Sequence, residues 1–125
     1  MKAVIQRVKS ATLSVDGQLI SQIGVGLCVY FGVEAGDCEE QADYMAKKIA
    51  AMRIFEDENG KMNKALADVG GSILLISQFT LCADTSHGNR PSFTLAEKPE
   101  RLIFLLLFLQ IVLYIDNQPI KNWLL

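Results

Sequence analysis

The chain has 125 residues, of which 50% are hydrophobic and 21% are charged, and its formal net charge is −2 at pH 7. This composition fits one globular domain over residues 1–125 and excludes an intrinsically disordered chain. A charge near zero also excludes a globally basic nucleic-acid binder, so any RNA contact has to come from a local patch.

The cysteines and the single histidine predict neither a disulfide framework nor a metal site. Cys28, Cys38 and Cys82 are odd in number and widely spaced. Cys82 and His87 have a spacing that suits a metal, but two ligands do not make a site. We therefore expect reduced thiols in a cytoplasmic protein.

In the first third of the chain, apolar residues alternate with polar ones, which is the pattern of half-buried strands. The alternation covers residues 2–8 and 11–15, and Asp16-Gly17 is a hairpin signal before residues 18–23. Residues 27–33 are apolar throughout, which predicts a strand covered on both faces.

A helix is predicted next. Asp37 and Glu40 have the spacing of a helix cap. Met45, Ile49 and Met52 recur at helical spacing, so we predict an amphipathic helix from about 38 to 51 that covers the sheet. Residues 53–55 then predict a short strand, and residues 56–60 a tight acidic turn without the oxygen spacing of a calcium loop.

The centre of the chain is an apolar run at residues 70–81, opened by two glycines. A short apolar run bounded by turn signals predicts a buried strand. Ser77, Gln78 and Thr80 place polar side chains at its rim, where the protein or a ligand has to satisfy them. An ordinary polar edge and a binding site both fit this pattern.

Two polar segments are candidate contacts for nucleic acid. In the loop 82–92, Asn89 and Arg90 have the chemistry to position a ribose or a phosphate. The first ten residues carry three basic side chains and no acidic one, namely Lys2, Arg7 and Lys9. A solvated loop and a solvated strand edge are the alternative interpretations.

The composition changes at residues 102–115, where Gln110 is the one polar side chain and no residue is charged. The stretch is shorter than the roughly 20 residues that cross a bilayer. It has no amphipathic period, which argues against a surface helix. A buried helix, a pair of strands and a membrane-seeking tail remain open, and the membrane is the least favoured.

Several segments match, in order, the motifs of one enzyme family. They are Met1–Val8 with Ala11 and Val15, Arg53-Ile54-Phe55, Asn59-Gly60-Lys61-Met62-Asn63, Ser77-Gln78-Phe79-Thr80-Leu81 and Gly88-Asn89-Arg90-Pro91-Ser92-Phe93. The chain thereby resembles the D-aminoacyl-tRNA deacylases, also called D-tyrosyl-tRNA deacylases. The resemblance covers about residues 1–94, and residues 95–125 are divergent or truncated.

This resemblance implies a compact α/β domain whose β-sheets, partly barrel-like, are flanked by helices. It implies a homodimer with active sites at the subunit interface and no metal or organic cofactor. The implied reaction is hydrolysis of the ester that joins a D-amino acid, or mischarged glycine, to the terminal adenosine of tRNA, in translation quality control. The implied partner is therefore the aminoacylated 3′ end of tRNA. The alternative is a catalytically impaired relative that binds nucleic acid or protein.

The same resemblance identifies two sets of site residues. The catalytic set is Ser77, Gln78, Phe79 and Thr80, and the substrate-binding set is Ser77, Gln78, Phe79, Pro91, Ser92, Phe93 and Thr94. Ester hydrolysis needs a nucleophile and a group that stabilises the oxyanion. Thr80 is the obvious hydroxyl, but no pattern links His87 to an aspartate, so a Ser/His/Asp triad is not expected.

We therefore expect a mechanism without a protein nucleophile. Backbone N–H groups around Phe79 and Thr80 would hold the carbonyl oxygen of the ester. Thr80 and Gln78 would position the substrate, and the 2′-hydroxyl of the tRNA would help to activate water.

One element of the family has no counterpart in the sequence. Its members resemble one another in a late Gly-Pro dipeptide that the partner subunit inserts into the pocket to exclude L-amino acids. Here Gly88 is the last glycine, and the last proline lies in Gln118-Pro119. A side chain at the first position would crowd a pocket lip that needs bare backbone. We expect either lost activity or relaxed discrimination between D and L substrates.

Overall fold

The computed structural model describes the backbone of residues 1–115 and 120–123, and the side chains of residues 1–109. Within these residues the chain is an α/β fold of three open sheets and two helices. The α/β class is confirmed, whereas no closed barrel is found in this part of the chain. Gln118-Pro119 lies outside the described residues.

The elements are as follows in chain order. The strands are β1 (Lys2–Val8), β2 (Ala11–Val15), β3 (Gln18–Ile23), β4 (Gly26–Gly32), β5 (Phe55–Glu56), β6 (Met62–Lys64), β7 (Ser72–Ser77) and β8 (Ile120–Trp123). The helices are α1 (Glu39–Ala51) and α2 (Pro99–Ile115), and two short 3-10 helical turns cover Ala67–Val69 and Phe79–Cys82.

The principal sheet has the strand order β1-β4-β7-β8, in which β1 is antiparallel to β4, and both β4–β7 and β7–β8 are parallel pairs. Helix α1 lies in the crossover from β4 to β7, and α2 in the crossover from β7 to β8. Because such crossovers are right-handed and both run in the same direction along the sheet, the two helices are expected on one face. The buried core agrees, since it joins Leu27, Val29, Phe31, Ile73 and Leu75 of the sheet to Ala42, Ala46, Ile49, Leu105, Leu106 and Leu109 of the helices.

The β2–β3 hairpin, which the turn signal predicted, covers the other face of the sheet. Asp16 and Gly17 both have positive φ, at 50° and 76°, which is the geometry of a tight two-residue hairpin turn. The second core, between the hairpin and the sheet, consists of Ile23, Cys28, Leu74 and Ile76.

Helix α1 is confirmed, but the prediction of its cap is wrong. The N-cap residue is Cys38, and its backbone N–H donates to Gln41 Oε1 at 2.9 Å. The Asp37 carboxylate instead accepts the backbone N–H of Glu34 at 2.8 Å and pairs with the amino group of Met1 at 2.6 Å. An aspartate that is engaged in these tertiary contacts is no longer available to the helix.

The connection after α1 follows the prediction in outline. The strand begins at Phe55, two residues later than predicted. The acidic turn is built by Asp57, whose Oδ1 accepts the backbone N–H groups of Asn59 at 2.9 Å and Lys61 at 3.0 Å. Hydrogen bonds from the backbone, chiefly from Lys61, lower the pKa of Asp57, because they stabilise the charged carboxylate.

Two of the three basic side chains near the amino end pair with carboxylates. Lys2 pairs with Glu34 at 3.7 Å, and Arg7 pairs with Glu56 at 3.8 Å. Arg7 also donates to the Ile54 carbonyl oxygen at 2.9 Å. Exposed pairs of this kind contribute little to stability, and they favour the interpretation of a solvated strand edge.

The apolar stretch at 102–115 lies within α2, so the strand-pair alternative is wrong. The helix buries one face, with Leu105, Leu106 and Leu109 in the core, and exposes Ile103, Phe104 and Leu107 on another. The sequence could not indicate which face is buried, because no polar residue marks the solvent side. Among the described residues, no helix combines the length and hydropathy that a membrane span requires.

Candidate active site

The predicted catalytic segment lies at the carboxyl end of β7, where the chain leaves the sheet. Ser77 is the last residue of the strand and is 2% exposed. The next residue, Gln78, donates its backbone N–H to the carbonyl oxygen of Phe31 on β4 at 2.9 Å. The carboxyl ends of parallel strands are where open α/β sheets bind ligands, and here β4 and β7 end together.

The strand does not continue through Leu81 as the apolar run predicted. It ends at Ser77, and residues Phe79–Cys82 form a 3-10 helical turn, which we call the site turn. Its hydrogen bonds run from Leu81 N to Gln78 O at 3.2 Å and from Ala83 N to Thr80 O at 3.3 Å. A helical start leaves its first N–H groups without an acceptor inside the helix, and Phe79 and Thr80 supply these groups here.

The side chains of the site turn divide by exposure. Phe79 is 49% exposed, and Thr80 is also exposed, whereas Cys82 is buried. The Gln78 side-chain amide donates a hydrogen bond to the Thr80 hydroxyl. An amide is not a base, so this neighbour does not activate the hydroxyl as a nucleophile. His87 is exposed in the following loop.

The underside of the site turn packs on the end of β4. Cys82 donates its S–H to the carbonyl oxygen of Val33, with 3.6 Å between sulfur and oxygen. Burial is the main cause of a raised pKa for the Cys82 thiol, because the thiolate loses solvation there. Cys82 is therefore a packing residue. It is buried whereas His87 is exposed, so the two residues with a metal-like spacing in the sequence lie in different environments.

The second predicted segment, residues 91–94, lies beside the site turn. Asp84 and Ser92 pair through two backbone hydrogen bonds of 2.7 and 2.9 Å, which bring the ends of the intervening loop together. The rings of Phe79 and Phe93 consequently meet edge to face, with centroids 5.4 Å apart and an interplanar angle of 74°. Such aromatic pairs are worth about 0.5–1.5 kcal/mol beyond their burial.

The remaining predicted residues lie at the edge of this aromatic pair. The hydroxyls of Ser92 and Thr94 are 3.2 Å apart, and Pro91 is exposed. The Asp84 carboxylate accepts the backbone N–H of Ser86 at 2.9 Å, and hydrogen bonds from Ser86 hold the pKa of Asp84 below its ordinary value. The structure thus brings both predicted segments together, with Phe79, Thr80 and Phe93 on an exposed rim and Ser77 buried below it.

The sequence interpretation missed the role of β4 in this site. Phe31, Gly32 and Val33 were identified only as part of a buried strand, yet all three lie against the site turn. A glycine inside an apolar strand is the signal that was available, since it often marks a close approach of another backbone.

Two other features of the described residues lie elsewhere. A shallow cavity of about 340 Å³ is lined by Asp43, Tyr44, Lys47, Lys48 and Ala51 on α1, and it shares no residue with the site turn. Within the described part of the chain, no three His, Cys, Asp or Glu residues are grouped so that they could hold a metal ion.

Comparison with known proteins identifies relatives across most of the chain. The family model for D-Tyr-tRNA(Tyr) deacylase matches residues 4–112, so the match continues beyond Thr94, where the motif resemblance ends. The curated D-aminoacyl-tRNA deacylase of Thermoanaerobacter sp. (strain X514) is 52% identical over 103 residues, or 82% of this chain and 69% of that protein. The D-aminoacyl-tRNA deacylase of Geobacter sp. (strain M21) is 56% identical over 100 residues, which cover 80% of this chain and 67% of that protein.

A solved structure has the same fold. The chain named c-Myc DNA Unwinding Element Binding Protein superimposes with a TM-score of 0.90 and is 39% identical in sequence. The alignment covers 98% of this chain and 83% of that protein.

Proposed function

The chain belongs to the D-Tyr-tRNA(Tyr) deacylase family, and from this premise we propose that it hydrolyses the ester bond of D-aminoacyl-tRNA. Water adds to the ester carbonyl carbon, and the bond from that carbon to the ribose oxygen breaks. The ribose oxygen takes up the proton, so that free D-amino acid and tRNA are released. A catalytically impaired binding protein is not favoured, because curated relatives about half identical to the chain are named as deacylases.

The observation that carries the mechanistic proposal is the hydrogen bond from the Gln78 amide to the Thr80 hydroxyl. This contact supports a positioning role for the hydroxyl, because the amide beside it cannot act as the base that a hydroxyl nucleophile needs. Beside it, the opening N–H groups of the site turn have the chemistry of an oxyanion site. In this proposal Thr80 and Gln78 position the ester, the N–H groups of Phe79 and Thr80 hold its carbonyl oxygen, and the 2′-hydroxyl of the tRNA helps to activate water.

The aromatic pair is the proposed contact for the terminal adenosine. Phe79 and Phe93 are 49% and 38% exposed. Exposed aromatic rings can stack on any nucleobase, because every base has a flat π-face. The other proposed contacts at the same rim are Pro91, Ser92 and Thr94. Ser77 was predicted with them, but it is 2% exposed and therefore lies below the rim.

Three further parts of the proposal derive from the family resemblance. The partner is the aminoacylated 3′ end of tRNA, the working state is a homodimer, and the compartment is the cytoplasm. Glycine mischarged on another tRNA is a second proposed substrate. Sedimentation of the purified chain tests the dimer directly, since a monomer at assay concentration that still releases D-tyrosine would contradict it.

Thr80→Val tests the positioning mechanism. We expect the rate of D-tyrosine release from D-tyrosyl-tRNA to fall by about 10- to 100-fold, because the substrate is held less well while the N–H groups remain. Thr12→Val, an exposed threonine on β2, is the matched control and should retain the full rate. Complete loss of turnover in folded Thr80→Val would instead assign the hydroxyl as the nucleophile.

A further inference from the structure

Gly32, the last residue of β4, lies directly beneath the site turn. A Cβ atom built on Gly32 would lie 3.1 Å from the Gln78 carbonyl oxygen, 3.1 Å from Cys82 Sγ and 3.1 Å from Leu81 Cβ. Ordinary van der Waals contacts of a Cβ atom lie at 3.4–4 Å, so each of these three distances is tighter than usual by a few tenths of an ångström. The Gln78 oxygen is a backbone atom, and Leu81 Cβ cannot rotate away from its own backbone, so we expect the turn to move away from β4 by a few tenths of an ångström.

The neighbours of Gly32 hold the turn close to the strand. The Phe31 carbonyl oxygen accepts the Gln78 N–H at 2.9 Å, and the Val33 carbonyl oxygen accepts the Cys82 S–H at 3.6 Å. The strand itself is fixed, because β4 lies between β1 and β7 in the principal sheet and all its residues except the half-buried Tyr30 are buried. Gly32 therefore sets the distance between a fixed strand and the site turn.

We propose that Gly32 is a positioning residue for deacylation, because its lack of a side chain lets the site turn lie where Thr80 and the adjacent N–H groups meet the substrate. The inference rests on the function proposed above. A side chain at residue 32 moves the turn by a few tenths of an ångström. A misplacement of about 1 Å can cost on the order of 100-fold in rate, so a shift of a few tenths is expected to cost less than that but still to be measurable. A shift of this size weakens contacts made in the transition state more than it weakens binding of the tRNA.

The kinetic test compares Gly32→Ala with Gly24→Ala. A Cβ on Gly24 meets no atom within 4 Å, so that variant controls for the loss of a glycine. For D-tyrosyl-tRNA we expect kcat of Gly32→Ala to fall on the order of tenfold, with KM changed by less than about twofold. Gly24→Ala should keep both constants, and equal kcat values for the two variants would overturn the proposal.

A second measurement separates movement of the turn from general loosening of the fold. Cys82 is the last residue of the site turn and is buried against the end of β4, whereas Cys28 lies in the core beneath the β2–β3 hairpin. Both variants are made in a Cys38→Ser background, which removes the partly exposed thiol and keeps a good N-cap residue. Alkylation at each cysteine is then followed by mass spectrometry. In Gly32→Ala we expect Cys82 to react roughly ten times faster than in Gly24→Ala, while Cys28 stays slow, as local opening requires.

The alkylation rate of Cys82 reports movement of the site turn whether or not the chain is catalytically active. If the unmodified chain releases no D-tyrosine, the proposed function fails, and Cys82 still reports whether residue 32 positions the turn. An unchanged rate at Cys82 would overturn the proposal. A joint rise at Cys82 and Cys28 would also overturn it, because the whole fold would then have loosened.

Discussion

Gly26→Ala is expected to prevent folding. A Cβ atom on Gly26 would lie 1.8 Å from the carbonyl oxygen of Ser72, and 2.8 Å from both its carbonyl carbon and its nitrogen. These are backbone atoms of β7, and the Ser72 N–H is held to the Val25 carbonyl oxygen at 3.1 Å. The overlap can be relieved only by separating the parallel pair β4–β7, which forms the centre of the principal sheet.

The size of this effect follows from what the separation would disrupt. Overpacking a core with a movable side chain costs about 1–3 kcal/mol, whereas here two backbones would overlap. We expect a loss above about 4 kcal/mol, which is comparable to the total stability of a small domain. Urea unfolding followed by circular dichroism measures it, with Gly24→Ala as the matched control. A Gly26→Ala chain that unfolds at the same midpoint as Gly24→Ala would contradict the β4–β7 contact.

Leu105→Ala should destabilise the chain far more than Leu107→Ala. Leu105 is 0% exposed and packs in the core shared by α1, α2 and the sheet, whereas Leu107 is 48% exposed on the same helix. Removing a buried leucine side chain costs about 2–5 kcal/mol through lost burial and a cavity. An exposed substitution usually changes stability by less than about 0.5 kcal/mol.

The pair is matched, because both substitutions change helix propensity equally. The difference between their free energies of unfolding therefore reports burial alone. It is measured by multiplying the difference between the two urea midpoints by the common slope of free energy against urea concentration. Equal midpoints for the two variants would show that α2 does not bury the face assigned to it here.

Local chemistry determined the parts of the fold that could be predicted from the sequence. The hairpin at Asp16-Gly17 follows from two residues that tolerate positive φ, and β4 follows from an unbroken apolar run. The helix α1 follows from periodic apolar positions, although its cap moved from Asp37 to Cys38 because the aspartate bonds elsewhere.

The parts that could not be predicted depend on contacts between distant residues. The buried face of α2 depends on packing, since residues 102–109 carry no polar pattern that distinguishes its sides. In the candidate site, both segments were identified by resemblance, but the meeting of Phe79 with Phe93 depends on the Asp84–Ser92 pairing. The position of Gly32 beneath the site turn depends on the register of β4 against β7.

The most direct test of the proposed function is release of amino acid from D-tyrosyl-tRNA and L-tyrosyl-tRNA, measured side by side with the purified chain. The proposed function predicts release of D-tyrosine well above the rate in buffer. The L-tyrosyl-tRNA arm reports the discrimination between D and L substrates. A chain that shows cooperative unfolding and still releases no D-tyrosine would contradict the assignment of deacylase activity.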